Sequence, residues 1–343
     1  MKIGILTGGG DCPGLNPAIR GFVMRALDYG FEVWGIREGW KGLVKGIVEE
    51  TPLTVDRVEE IISWGGTMLR SSRTNPYKDP AQLVAVKENI QKFGFDCIVA
   101  LGGEDTLGVA SKLWKDGIPT VGIPKTMDND LSETDYTFGF DTSVGVNVEA
   151  VDRLRDTARS HSRVIVLEVM GRHAGWVALH AGIAGGADWI LLPEVPLDLD
   201  AMCAHLQAAY TRKRYGIVVA SEGVELPDLD ESEKKLDAFG HVVLSDRNVG
   251  DFIAKEIEKR TGIETRSAVT GHIQRGGPPS AFDRVLASRL GIRAAQCVYE
   301  QDWGKMVAIR GTEIVPVAID KAVGTLRTVP LELYETAKTL FNK

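Results

Sequence analysis

The sequence predicts an α/β protein made of two Rossmann-like, three-layer α/β/α domains with a cleft between them. Three observations lead there. Short apolar segments alternate with amphipathic helical segments through most of the chain, the pattern of parallel strands covered by helices. At 343 residues the chain is longer than one hydrophobic core usually serves, and 44% hydrophobic residues supply a sizeable apolar interior. Glycine-bearing turns follow one strand after another, at the edge where open α/β sheets bind ligands.

The elements follow in order. "KIGILT" is the first strand, and a helix begins within "PGLNPAIRG" and runs to about Tyr29. "EVWGI" is the second strand. Asp79 and Pro80 form an N-cap and first-turn pair, Leu83, Val86, Ile90 and Phe93 keep to one helical face, and Gly94 ends that helix. It feeds the strand "CIVAL" and the turn "GGEDT"; a helix from about Thr106 to Lys115 then leads into the strand "TVGIP". A long helix over about 142–159 precedes a second cycle of strands, "RVIVLEV", "WILLP", "GIVVAS" and "RSAVTG", and the helix near Ala281–Leu290 returns the chain to the first domain. The expected division is 1–139 with 273–325 for the larger domain, 140–272 for the smaller, and a C-terminal helix over 326–343. Linkers rich in Pro, Gly or Ser are absent from the sequence, so the domains should pack closely.

Charge and cysteine usage narrow the partners. With 40 basic and 47 acidic residues the net charge is -7, and no basic block offers itself to a nucleic-acid backbone. An anionic substrate therefore needs a locally basic pocket inside an acidic molecule. Cys12, Cys97, Cys203 and Cys297 are widely spaced and read as reduced structural thiols. Neither a secretion leader nor a membrane span is legible in the sequence, and a cytoplasmic protein is the expectation.

Four stretches could carry chemistry. In "TGGGDCPGLN", residues 7–16, consecutive glycines let backbone N–H groups approach an anion at a helix N-terminus; a tight turn without a ligand is an equally good reading. "PKTMDND", residues 124–130, sets Lys125, Asp128 and Asp130 on one loop beyond a strand. A base for an attacking hydroxyl, a carboxylate for a metal and a lysine for transferred charge suit phosphoryl transfer. An ordinary solvated loop with Asn129 and the aspartates in local turn bonds also fits. "EVMGRHAGW", residues 168–176, aims Arg172 from a strand end, either at a developing phosphoryl charge or at a surface carboxylate. His173 and His180 lack the further ligands of a metal site and read as packing or surface residues. In "ETRSAVTGHIQRGG", residues 264–277, Arg266, His272 and Arg275 lie on one strand and the turn after it. Alternation puts Arg266 and His272 on one side, and two guanidiniums with an imidazole near glycine N–H groups suit a monoester phosphate; a charged edge strand with scattered surface contacts is the other reading.

In this order and spacing the four motifs resemble the phosphofructokinase family, from "GILTGGGDCPGLNPAIRG" to about "RVLASRLG". The resemblance implies transfer of a phosphoryl group to the C1 hydroxyl of fructose 6-phosphate, with Mg²⁺, in a cleft between two α/β domains. By position, Gly10, Arg73 and Gly103 look like donor contacts. Asp128 resembles the general base, with Thr126 and Asp130 beside it. Met170, Gly171 and Arg172 resemble sugar and transition-state contacts, and Glu222 an acceptor for sugar hydroxyls. Arg163, Arg266, His272 and Arg275 resemble the 6-phosphate pocket. The counterparts of Arg163 and Arg266 reach in from a neighbouring subunit, which implies a homodimer or homotetramer.

The departures from the family pattern bear on the donor. ATP-dependent bacterial members typically have glycine where this chain has Asp105, and many have glycine at Lys125; members that use pyrophosphate resemble this chain at both. An Asp105 carboxylate stands roughly where the α-phosphate of ATP must pass, adding bulk and like charge, while Lys125 holds the shorter donor. Pyrophosphate is therefore the expected donor, with the ATP-dependent enzyme as its rival and a non-catalytic sugar-phosphate sensor as a remoter one. Glu104 stands where the family has an aspartate that helps hold Mg²⁺. Met24 replaces an arginine used for allosteric effectors, whereas Arg20 retains another.

Overall fold

The computed structural model describes residues 1–227 and 248–341. Among them the strands are β1 (Lys2–Thr7), β2 (Glu32–Ile36), β3 (Cys97–Gly102), β4 (Thr120–Pro124), β5 (Val164–Val169), β6 (Trp189–Leu191), β7 (Gly216–Ser221), β8 (Thr265–Val269), β9 (Lys305–Arg310) and β10 (Glu313–Ala318). They form a six-stranded sheet in the order β10-β9-β4-β3-β1-β2 and a four-stranded sheet in the order β6-β7-β5-β8. Every pairing is parallel except that of β9 with β10. Strands β3, β4, β5 and β7 are buried along their whole length, because helices cover both faces and leave no polar face to alternate with.

Local chemistry sets the helix ends. The Asp79 side chain accepts from Ala81 N–H at 2.9 Å, Pro80 fills the first turn, and Gly94 closes the helix at φ 67°. The helix after β3 spans Glu104–Lys115, so it starts two residues before the expected Thr106. Glu104 and Asp105 thus belong to its first turn, where the positive end of the helix dipole favours carboxylates. The long helix spans Phe140–His161.

The helix expected near Ala281–Leu290 continues to Glu300. It packs along the Leu15–Asp28 helix at close range: a Cβ on Gly21 would meet Ser288 O at 2.4 Å, and one on Gly291 would meet Ala18 O at 2.2 Å. Its first turn also reaches the second sheet's side of the molecule, since Asp283 Oδ2 accepts from Thr142 N–H at 2.9 Å and from Thr142 Oγ1 at 2.5 Å.

Three expectations need correcting. The β9–β10 hairpin was not foreseen. Alternation fails beyond β8, because Gly271–Arg275 is a 3-10 turn, so His272 and Arg266 do not share a strand face. The C-terminal helix is Leu331–Lys338; 326–330 before it are not helical, and 342–343 lie outside the described residues, as do 228–247 of the smaller expected domain. Among the described residues no helix is long and apolar enough to cross a membrane.

Candidate active site

The carboxyl ends of five strands, three from the first sheet and two from the second, open into one cavity. It is lined after β1 by Gly9 and Gly10, after β3 by Gly103, Glu104, Asp105 and Thr106, and after β4 by Lys125 to Asp128 and by Asp130. From the second sheet come Arg172 and His173 after β5, and Glu222 after β7; Arg73, Arg275 and Leu326 complete the lining.

Backbone geometry builds the donor side. Gly8 N–H bonds to Leu101 O at 2.9 Å and Gly9 N–H to Ser72 O at 3.0 Å, which folds the glycine turn back over β3 and draws the Arg73 segment to it. Lys125 N–H bonds to Gly102 O at 2.9 Å, placing the lysine between the two glycine turns. Its ammonium donates to Gly10 O. The Lys125 side chain is fully buried, and burial pulls its pKa below the usual lysine range. Arg275 Nη1 donates to Asp11 O at 3.0 Å, so this arginine leans on the donor turn, whereas the sequence grouped it with Arg266 and His272.

The β4 loop holds the acids. Asp128 N–H bonds to Thr126 Oγ1 at 3.1 Å, and Asn129 sits in the left-handed region at φ 54°, its Oδ1 accepting from Thr137 N–H at 3.0 Å. Asp128 Oδ1 is buried and has no hydrogen-bond partner. Burial first, and then the neighbouring Asp128 charge, pushes the Asp130 carboxyl up to about 6. The same two causes push Glu222 up to about 7. Carboxylates this close together disfavour one another's charged forms, which suits a divalent cation. Among the described residues, no three His, Cys, Asp or Glu side chains form a metal cage. A Mg²⁺ here would take one or two carboxylates and complete its shell with phosphate oxygens and water.

On the facing side, Ser221 Oγ donates to Gly171 O at 2.6 Å and Gly171 N–H reaches Glu222 Oε1 at 3.5 Å. Gly171 has φ 141°, and a Cβ there would meet Ala174 O and Ser221 Oγ at 2.7 Å, so the turn that aims Arg172 admits no side chain. Met170 is buried directly before it. His173, read from sequence as packing or surface, lines the cavity; His180 bonds Trp176 O at 3.0 Å inside the helix packing, as expected.

Three predicted residues lie elsewhere. Arg163 precedes β5 and Arg266 pairs with Ile165 near its start, whereas Gly171 follows its end; six strand residues separate the two ends by roughly 20 Å. Both arginines bind Glu264, at 3.4 Å and 2.8 Å, on the same chain. His272 is exposed in the 3-10 turn outside the cavity lining. Leu326 is the lining residue that no local sequence signal announced, since it arrives from the far end of the chain.

Glycine turns, a buried lysine and an arginine brought to one acid-lined cavity by the parallel strands of two sheets define an α/β phosphotransferase. Comparison with known proteins takes the class to a family. Residues 2–298 match the family model described as Phosphofructokinase, and the chain belongs to the phosphofructokinase family. It is 53% identical to a pyrophosphate–fructose 6-phosphate 1-phosphotransferase of Dictyoglomus thermophilum, over 100% of this chain and 99% of the relative. It is 52% identical to one of Streptomyces coelicolor, over 99% and 100%. An ATP-dependent 6-phosphofructokinase of Corynebacterium efficiens is 46% identical over 99% of each chain. Among solved structures, Pichia pastoris phosphofructokinase in the T-state superposes with a TM-score of 0.82 at 29% identity, over 99% of this chain and 36% of that longer one.

Proposed function

We infer that the protein transfers a phosphoryl group from pyrophosphate to the C1 hydroxyl of fructose 6-phosphate, giving fructose 1,6-bisphosphate and orthophosphate. The observation that carries the choice of donor is Asp105, in the first turn of the Glu104–Lys115 helix, in one cavity with the buried Lys125. Relatives that bear the pyrophosphate name, at 53% and 52% identity, support it.

In this reading the chain divides at 1–139 with 273–325 for the donor, and at 140–272 for the sugar. Gly10, Arg73, Gly103 and Lys125 hold pyrophosphate, and Asp105 turns away a longer polyphosphate. Glu222, Met170 and Gly171 hold the sugar, with Thr126 and Asp130 flanking the reacting hydroxyl. As the hydroxyl oxygen bonds to phosphorus, Asp128 accepts its proton; the phosphorus–oxygen bond to the leaving phosphate breaks, while Lys125 and Arg172 offset the charge in transit. A carboxylate is too weak a base to ionise an alcohol beforehand, and a loose transition state needs no such step. Mg²⁺, held through Glu104 and substrate oxygens, would neutralise phosphate charge.

The 6-phosphate pocket draws on His272 and Arg275, and on Arg163 and Arg266 of a neighbouring copy in a homodimer or homotetramer. The distance of both arginines from their own cavity supports this. A cytoplasmic setting belongs to the same reading, supported by the four buried, unpaired cysteines.

The test runs the reaction backwards. Fructose 1,6-bisphosphate with orthophosphate should yield fructose 6-phosphate and pyrophosphate without any nucleotide. A reverse reaction that requires ADP contradicts the reading.

A further inference from the structure

Six residues near the C-terminus, 324–329, touch the start of the Glu104 helix and the β4 loop and reach the helix that follows the Arg172 turn. Gly324 N–H donates to Glu104 Oε1 at 3.0 Å, at the start of the helix that bears Asp105. Ser132 Oγ donates to Thr325 O at 2.5 Å, and Leu326 pairs with Leu131 in an isolated antiparallel bridge while lining the cavity. Arg327 meets two consecutive carbonyls of the β4 loop: its N–H donates to Asp130 O at 2.8 Å and its Nη1 to Asn129 O at 3.3 Å.

The same residue reaches the opposite wall. Its guanidinium lies 4.2 Å over the Trp176 ring, and Trp176 Nε1 donates to Arg327 O at 2.9 Å. Trp176 opens the helix four residues after Arg172. Val329 N–H then donates to Glu194 Oε1 at 2.8 Å, and that oxygen also accepts from Gly175 N–H at 2.9 Å.

We propose that this segment is a strap that sets the Asp128 loop against the Arg172 turn, with Arg327 as its positioning residue. Asn129 is in the left-handed region, which asparagine tolerates better than other non-glycine residues and which contacts around it help to hold. The Arg327 bonds to Asn129 O and Asp130 O are two of those constraints, and stacking on Trp176 fixes the guanidinium that makes one of them. Without them the loop relaxes and the Asp128 carboxylate shifts relative to the phosphorus. The strap lies beyond the part of the chain that matches the family model, residues 2–298. The inference rests on Asp128 acting as the proton acceptor proposed above.

A double-mutant cycle tests it with pyrophosphate and fructose 6-phosphate as substrates. A misplacement of about 1 Å costs up to roughly 10²-fold in rate, so Arg327→Ala should lower kcat by about 10- to 100-fold. KM for either substrate should change less than kcat, because the strap meets the β4 loop at backbone carbonyls and not at side chains that hold substrate. Both variants keep the backbone N–H bond to Asp130 O; Arg327→Lys also keeps a cation, though not the planar fork, and should recover part of the loss. In an Asp128→Asn background Arg327→Ala should cost little more, since the misplaced group is already disabled.

Two results would overturn the proposal: a kcat within about twofold of native for Arg327→Ala, or losses that multiply in the double variant. If Asp128→Asn alone leaves turnover unchanged, the catalytic assignment fails instead. Should Arg327→Ala not fold, Trp176→Phe removes the indole donor while keeping the ring and enters the same cycle. Its kcat loss must likewise vanish in the Asp128→Asn background, and a loss that multiplies there overturns the strap.

Discussion

Replacing Asp105 by glycine should open the donor site to a third phosphate. Asp105 lies in the first turn of the Glu104–Lys115 helix and is half-buried at the cavity wall. A phosphate charge brought to roughly 5 Å from its carboxylate, at an effective dielectric constant of about 20, is opposed by about 3 kcal/mol. Relief of that repulsion corresponds to roughly two orders of magnitude in kcat/KM for ATP. Asp105→Asn removes the charge and keeps the volume, so it divides the effect into charge and bulk; tripolyphosphate reports on the third phosphate without a nucleoside. Formation of fructose 1,6-bisphosphate is followed with each donor at saturating fructose 6-phosphate. Glycine in the helix's first turn also forfeits a favourable dipole interaction and some helix propensity, about 1 to 2 kcal/mol together, so a modest fall in Tm accompanies the gain. If both variants reject ATP and tripolyphosphate as the native protein does, the exclusion argument is wrong.

Further expectations concern the base, the neighbouring copy and the pH dependence of stability. Asp128→Asn should lower kcat by about 10²- to 10⁴-fold while fructose 6-phosphate still binds in calorimetry; an unchanged rate removes Asp128 from the mechanism and revives the sensor reading. Arg163→Ala and Asp128→Asn chains, each impaired alone, should regain activity when unfolded and refolded together, because a mixed assembly contains one site with both native residues; no regain means Arg163 does not serve a neighbour. Burial pushes Asp283 from 3.8 up to about 6. The folded state therefore holds this proton more tightly than the unfolded chain, and its stabilising contribution is lost as pH rises from about 4 to beyond 6. Asp283→Asn should remove a slope worth about 3 kcal/mol, so the variant gains on the native protein over that window; parallel stability curves contradict the assignment.

Much of the fold was legible because continuous apolar strands and glycine turns are local signals. The Asp79–Pro80 start and the Gly94 stop appear as the sequence has them. The β9–β10 hairpin was missed although "KMVAIR" and "EIVPVA" flank a glycine; Pro316 argues against a central strand, and β10 is an edge strand that tolerates it. The early start of the Glu104 helix was hidden because two acids after two glycines also read as turn residues.

The cavity residues Gly10, Glu104, Asp105, Lys125, Asp128 and Arg172 come from motifs that keep their own spacing, and Arg73 and Glu222 from the family resemblance by position. Leu326 and Arg327 owe their places to contacts made nearly two hundred residues away, with Leu131 and Asn129. A pattern read along the chain has no access to such pairings. The sequence grouped Arg275 with His272, yet Arg275 lines the cavity and leans on Asp11 while His272, three residues earlier in the same 3-10 turn, is exposed outside it.

The central claim is the identity of the donor. Purified native protein is given fructose 6-phosphate and Mg²⁺ with either pyrophosphate or ATP, and kcat/KM is measured for each. The account predicts robust turnover with pyrophosphate and, from the repulsion at Asp105, a kcat/KM for ATP lower by about two orders of magnitude or more. Robust turnover with ATP and none with pyrophosphate would contradict it.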